Sequence, residues 1–386
     1  MKIDVFTSSV SRAAGGLFDA IKDLYMPIKD QVDVSVYSYE DEHTKADLAS
    51  WKPLNMNVYK TRNPFLYSAE VKKALLASDA NVLHVHGLWR YPHAFITAWK
   101  SKTKKPVVVT PHGMLDPYIL ANQFFLKRLA GKYLFAQKAF KNVDCYHALC
   151  IAELEAIRAY GITHPVAIIP NGINITGDNI RREPADGKKH LLFLARLHPK
   201  KGVDILLEAL GKLKNSNPEL IDNWMLDIVG WAQENFDQKL HAIVKKYSLE
   251  EYVTFHGGLF DKDKENMYAT ANAYILPSHG EGLPMTVLEA WSWGLPVIMT
   301  PQCNLPEGFE HNAAIKIEDN TESIYENLKT FFQMTEEEKN LMGSNGKKLV
   351  IAEFTWKLAG AKMVELYSWL VNKGVKPAFV HLTSTK

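Results

Sequence analysis

Short runs rich in β-branched residues alternate with amphipathic stretches along this chain, and after about 170 residues the alternation begins again. In the first round the expected strands are 2–7, 32–38, 82–86, 106–110, 144–148 and 166–169, with helical patterns such as 17–28 and 124–141 between them. The run Pro106-Val107-Val108-Val109-Thr110 is apolar on both faces, which suits a parallel strand covered by helices on each side. Pro170-Asn171-Gly172 then marks a turn. New strands are expected at 190–195, 224–229, 252–256, 273–277 and 296–299, and helices at 203–214, 234–247, 284–293, 321–333 and 335–352. The fold class is therefore α/β, with two doubly wound Rossmann-like domains, 1–170 and 171–356, facing across a cleft at the C-terminal ends of their sheets. The 386 residues suit two such domains. A last aromatic-rich helical pattern at 354–371 predicts a C-terminal helix of about 357–386 that packs back on the first domain.

Composition narrows the class of protein. Hydrophobic residues make up 47% and charged residues 23%, the balance of a globular enzyme and not of a disordered or fibrous chain. A formal charge of +2 argues against a dedicated nucleic-acid binder. No stretch reaches the roughly 20 apolar residues of a transmembrane helix. The opening MKIDVFTSSV lacks an apolar signal core and reads as a first strand, so a cytoplasmic protein is expected. Cys145, Cys150 and Cys303 form no CxxC pair, which excludes a disulfide scaffold and makes a structural zinc site improbable. The near-neutral total hides an asymmetry. Residues 1–170 carry 21 Lys and Arg against 15 Asp and Glu, and the remainder 24 against 28. The basic half is expected to face an anionic partner.

The most informative segment is Ser278-His279-Gly280-Glu281-Gly282-Leu283-Pro284-Met285-Thr286-Val287-Leu288-Glu289. It follows an expected strand and opens a helix, with Pro284 suited to the first helical position. Free N–H groups around Leu283 to Thr286 would form an anion site suited to a diphosphate. Glu289, five residues past Pro284, falls about 7.5 Å further along the helix axis. A carboxylate there can accept hydrogen bonds from a sugar diol. Glu281, before the helix, can hold a second hydroxylated group. A sugar, a diphosphate and another sugar in one ligand would satisfy all three.

Glu281-GLPMTVL-Glu289 resembles the E-x7-E signature of the retaining family 4 glycosyltransferases of GT-B fold. Arg196 and Lys201-Gly202 after the 190–195 strand, the IPNGIN turn, the FHG at 255–257 that ends in Gly257, and Phe354-Thr355-Trp356 resemble further features of that family in order. The resemblance covers essentially the whole chain. It implies that Arg196 and Lys201 take the negative charge that grows on a departing diphosphate, with a forked guanidinium and a mobile ammonium. It implies that Glu281 orients donor-sugar hydroxyls and Glu289 holds the nucleotide ribose. In the first domain, Gly15 and Gly16 follow strand 1 and would border the diphosphate and the acceptor. His112, after the 106–110 strand, is the main catalytic candidate there. His84, His86 and Trp89 are expected to line the acceptor side, and Asp116 reads as a loop residue.

What the resemblance implies as a reaction is hexosyl transfer with retention and without a covalent nucleophile or a metal. The donor is a nucleotide sugar, with UDP-glucose the first guess as a common donor of the family. The acceptor is a saccharide or lipid-linked saccharide, as in polysaccharide assembly. No cofactor and no nucleic acid are expected. Lys127, Arg128, Lys132, Lys138 and Lys141, interleaved with Phe125, Leu129 and Tyr133, form a basic amphipathic pattern within 124–141 that could lie on anionic lipid at the inner face of the plasma membrane. The alternatives are a sugar-phosphate synthase or phosphorylase on the same fold, and a sugar-nucleotide-binding protein without catalysis.

Overall fold

The computed structural model describes residues 1–61, 68–88, 93–115, 137–175, 181–232 and 235–383. The chain divides into two compact units, Met1–Gly172 with Trp356–Lys386, and Ile173–Thr355.

The first unit is built on strands β1 (Lys2–Phe6), β2 (Asp33–Tyr39), β3 (Asn55–Tyr59), β4 (Val82–His86), β5 (Val107–Thr110), β6 (Cys145–Ala148) and β7 (Val166–Ile168). They run parallel in the order β7-β6-β5-β4-β1-β2-β3. Every residue of β4, β5 and β6 is buried, as expected of parallel strands covered on both faces, including the histidines of β4 and β6. The helical pattern at 17–28 becomes a helix over Gly16–Tyr25 and a separate 3-10 turn over Met26–Ile28, because Pro27 cannot continue the hydrogen-bond ladder. The segment expected as one C-terminal helix is a helix over Trp356–Asn372 followed by a two-residue strand, Val380–His381. That helix packs on the Gly16–Tyr25 helix and the turn after it, and the strand pairs antiparallel with β7.

The second unit carries β8 (Lys189–Leu194), β9 (Trp224–Val229), β10 (Val253–Gly257), β11 (Ala273–Leu276), β12 (Val297–Met299) and β13 (Ala314–Lys316). This sheet is also parallel, in the order β10-β9-β8-β11-β12-β13. Both units are thus doubly wound α/β sheets of Rossmann type. In each, the order reverses beside the unit's first strand: β1 lies between β2 and β4, and β8 between β9 and β11. Such reversals leave a crevice beyond the C-terminal strand ends, where open α/β folds take ligands.

Candidate active site

In the second unit two loops meet at that reversal. β8 runs out through Arg196 into a 3-10 turn over Pro199–Lys201, and β11 into the segment 277–284 before the Met285–Ser292 helix. Glycine sets how closely they approach. Gly202 has φ +70°, and a Cβ there would fall 2.1 Å from the Pro277 carbonyl oxygen, so any side chain would force the loops apart. The Lys200 carbonyl accepts hydrogen bonds from the His279 N–H at 2.8 Å and the Ser278 hydroxyl at 3.0 Å. With the loops pinned, the Lys201 ammonium reaches both carboxylate oxygens of Glu281, at 2.6 and 2.7 Å. The pair is largely buried, with side chains 18% and 9% exposed. Arg196 is exposed and has no hydrogen-bond or ion-pair partner among the described residues.

The Glu281 backbone is held from both sides. Its N–H donates to the Gln302 carbonyl at 2.9 Å, and Asn304 Nδ2 donates to the carbonyls of Glu281 and Gly282 at 2.6 and 3.2 Å. Gly282 is exposed and Leu283 half-buried. Pro284 is the residue before the helix and not its first residue: its ψ of 101° is extended, so Met285 and Thr286 open the first turn. The N–H groups of that turn have no acceptor within the helix. Tyr274 donates to the Thr286 hydroxyl at 2.6 Å, which fixes the side chain facing this turn.

Further along the same helix, Glu289 accepts from Lys264 Nζ and from the Tyr268 hydroxyl, both at 2.8 Å. Tyr268 is fully buried, and burial beside Glu289 pushes its hydroxyl pKa well up, so it stays a neutral donor. Gly257 ends β10 with φ +70°, and its carbonyl accepts from the Gly230 N–H at 2.7 Å. Between the strands, Asp227 sits 2.5 Å from His190 Nδ1 and 2.7 Å from His256 Nε2. Burial alone would raise Asp227, but the two imidazoles hold its carboxyl below the ordinary range, and Asp227 in turn raises His190.

The first unit meets its reversal with different chemistry. After β1, the hydroxyls of Ser9 and Ser11 donate to Asp41 at 2.6 and 2.7 Å, and Arg12 pairs with Asp47 at 2.5 Å. Gly15 adopts φ +59° and Gly16 starts the helix that follows. Beyond β5, His112 has φ +53°, and the next N–H, of Gly113, donates to Glu153 Oε1 at 2.6 Å. The Leu149 N–H donates to the other oxygen at 2.7 Å. Burial raises the Glu153 pKa against both bonds. His112 Nε2 lies 2.9 Å from His86 Nδ1, with the rings stacked at 5.2 Å between centroids. Burial, with the nearby His147, lowers the His112 pKa to about 3, so its ring is neutral.

His84 and His86 do not line an open surface as expected. They are 0% and 5% exposed, because every β4 position is covered, and they face inward, with the Tyr25 hydroxyl 2.7 Å from His84 Nδ1 and 2.9 Å from His86 Nε2. Trp89, Asp116 and most of the basic 124–141 pattern lie outside the described residues. Lys201 and Glu281 are brought together, with Arg196 on the same loop as Lys201, while Glu289 is placed with two partners that the sequence reading missed. Lys264 and Tyr268 stand four apart and so share one helix face, but nothing in the sequence ties that face to Glu289. Asn304, whose φ of +57° is one Asn tolerates, was missed as well.

Asp261-Lys262-Asp263 forms an Asp-x-Asp run in the first turn of the Asp261–Thr270 helix. Among the described residues no group of three His, Cys, Asp or Glu side chains gathers to hold a metal ion, and no helix is long and apolar enough to cross a membrane.

With this geometry in view, known proteins give a context. The Glycosyltransferase Family 4 model matches residues 28–176, and the Glycosyl transferases group 1 model matches residues 177–349. The D-inositol 3-phosphate glycosyltransferase of Streptomyces bingchenggensis is 26% identical over 39% of this chain and 36% of its own length. The putative colanic acid biosynthesis glycosyltransferase WcaL of Escherichia coli K12 is 24% identical over 82% of this chain and 78% of its own. The chain spans 36%, 48% and 63% of the first three curated relatives it matches. Among solved structures, Anabaena HepE in complex with UDP and glucose superposes with a TM-score of 0.73 at 19% identity, over 95% of this chain and 99% of HepE.

Proposed function

The chain belongs to the family 4 glycosyltransferases of GT-B fold, and from that premise we propose that it transfers a hexose, with retention, from a nucleotide-diphosphate sugar to a saccharide or lipid-linked saccharide acceptor in glycan biosynthesis. The observation that carries this reading is the Lys201–Glu281 pair held at the β8/β11 reversal, with Arg196 exposed on the same loop. It sets cationic donors and a carboxylate side by side, as a phosphate next to a sugar requires. UDP-glucose is the first donor to test, since HepE was solved with UDP and glucose.

In this reaction the bond between the sugar's anomeric carbon and the diphosphate oxygen breaks, and negative charge grows on the leaving group. Arg196 and Lys201 stabilise that charge without a metal, and the first turn at Met285 and Thr286 adds N–H donors. The acceptor hydroxyl enters on the face being vacated, and its proton passes to the departing phosphate oxygen. The products are a nucleoside diphosphate and a glycoside of unchanged configuration. Glu281 orients donor-sugar hydroxyls by sharing Lys201. Glu289, already an acceptor for Lys264 and Tyr268, takes the ribose diol. In the first unit, His112 serves the transferred sugar, with the Gly15-Gly16 turn beside the diphosphate. The same reading puts the protein in the cytoplasm, with the basic 124–141 pattern against anionic lipid. Flotation with anionic vesicles at low salt checks that last element, which fails if no protein floats.

Transfer from UDP-glucose and other nucleotide sugars, with and without EDTA, tests the reaction. Lys201→Ala and Glu281→Ala are each expected to lower turnover by about 10²–10³. Undiminished transfer by both variants would sink the assigned roles, a β-linked product from an α-linked donor would sink retention, and loss of transfer with EDTA would sink metal independence.

A further inference from the structure

His112 ends a chain of hydrogen bonds that runs through the interior of the first unit, and the order of protons along it can be worked out from its far end. There, His147 Nε2 lies 2.8 Å from the Ile169 carbonyl. A carbonyl only accepts, so Nε2 carries the hydrogen. Burial lowers the pKa of His147 to about 4 and holds those of His84 and His86 well below the ordinary value, so each ring has one N–H and one bare nitrogen. His147 Nδ1 is therefore an acceptor, and Thr110 donates to it at 2.8 Å. The single proton of Thr110 is then used, so its oxygen accepts from His84 Nε2 at 2.7 Å. This makes His84 Nδ1 an acceptor too.

Two hydroxyls compete for that nitrogen, since Tyr25 and Tyr367 both lie 2.7 Å from it. Tyr25 is also 2.9 Å from His86 Nε2, and the two tyrosine oxygens are 3.3 Å apart. If Tyr25 served His84, the proton of Tyr367 would be left with only the 3.3 Å contact, beyond the usual O–H···O range. One order places both hydroxyl protons in short bonds: Tyr367 donates to His84, and Tyr25 donates to His86 Nε2. His86 must then carry its proton on Nδ1 and donate to His112 Nε2.

We propose that this relay fixes His112 as the Nδ1–H tautomer, so that the nitrogen without a partner among the described residues presents a hydrogen-bond donor, with Tyr367, Tyr25 and His86 as positioning residues. A donor at that atom suits an oxygen acceptor such as a sugar hydroxyl or a phosphate oxygen, in keeping with the role given to His112 above. The proton order follows from the hydrogen bonds together with the neutrality of the buried rings, and holds whatever reaction the protein performs.

Nitrogen-15 NMR of histidine-labelled protein at pH 7.5 reads it directly, with the His112 signals assigned by their loss in His112→Asn. The wild type should show a protonated, pyrrole-type Nδ1 and a bare, pyridine-type Nε2 at His112. Tyr367→Phe leaves Tyr25 as the only donor to His84, so His86 must donate from Nε2 and His112 must carry its proton on Nε2. The two His112 shifts should exchange character in that variant. A pyridine-type Nδ1 in the wild type overturns the proposal, as does an unchanged pattern in folded Tyr367→Phe. The wild-type spectrum stands as a test even if the variant does not fold. Neither spectrum reads sugar transfer, so the relay and the proposed reaction fail separately.

Discussion

The two units share a sheet topology and differ in how most of their buried ionisable groups are kept, although the first also holds the Arg12–Asp47 pair and burial lowers Lys339 in the second. In the first, burial neutralises: Asp4 and Glu153 are raised, and His84, His86, His112 and His147 are lowered. In the second, charge is kept and paired, with Asp227 between two imidazoles, Lys201 on Glu281 and Lys264 on Glu289. A neutral hydrogen-bonding interior suits recognition of hydroxyl-bearing ligands, and an ion-paired one suits handling charge that moves during a reaction. Net charge is a poor guide to which is which. The half with excess acid carries Arg196 and Lys201, because the placing of a few cations does not follow the average charge of a surface.

Acid should change the stabilities of the two units differently. Unfolded histidines take up protons near pH 6.5, whereas those buried in the first unit do so only well below. Protons thus favour the unfolded chain between the two values, and stability present above pH 6.5 is lost as pH falls. Each buried histidine costs up to about 1.4 kcal/mol per pH unit, or about 4 kcal/mol at pH 5.5 for His84, His86 and His147 together. In the second unit the signs oppose this. The raised His190 gives its full stability below about pH 6.5, and the depressed Asp227 gives its own above about pH 4. Hydrogen exchange corrected for intrinsic rates should show the first unit deprotected at pH 5.5 relative to pH 7.5, with the second unchanged. Equal deprotection of both would break the comparison.

Asp4 sharpens it from the other side. It is 2% exposed, one oxygen has no hydrogen-bond partner among the described residues, and burial, with Asp79 adding to it, raises its pKa to about 6. A raised carboxyl pKa means that stability is present below about pH 4 and lost as pH rises through 6. Asp4→Asn is therefore expected to stabilise the protein by about 2 kcal/mol at pH 8 and to make little difference at pH 4, read by urea unfolding. Destabilisation at pH 8 would mean that the first unit does hold a favourable buried charge.

Much of this fold could be read from the sequence, because buried parallel strands carry long apolar runs. The strands that escaped, β3, β13 and the strand Val380–His381, are edge strands, and the last two have only three and two residues. Glu281, Lys201 and Arg196 stood out by type and spacing, but their pairing did not, since 80 residues separate Lys201 from Glu281. His84 and His86 misled for a physical reason. Successive residues of a strand point to opposite faces, so His84 and His86 share one, and only the covering of that face shows that neither ring reaches an open surface.

Within the second unit, burial should grade what each ion pair contributes. The Lys264–Glu289 pair has side chains 32% and 25% exposed, against 18% and 9% for Lys201–Glu281. Water screens the more exposed pair, and ordering a lysine offsets part of the attraction that remains. Glu289 also keeps the Tyr268 hydroxyl when Lys264 is lost, so its carboxylate is not stranded. Lys264→Met is accordingly expected to cost less than about 1 kcal/mol in urea unfolding, and to cost still less in 1 M salt, where the wild-type pair is already screened. A loss of several kcal/mol, insensitive to salt, would show that Glu289 behaves as a fully buried charge. The second unit would then keep its ionised groups by pairing alone, with no help from solvent.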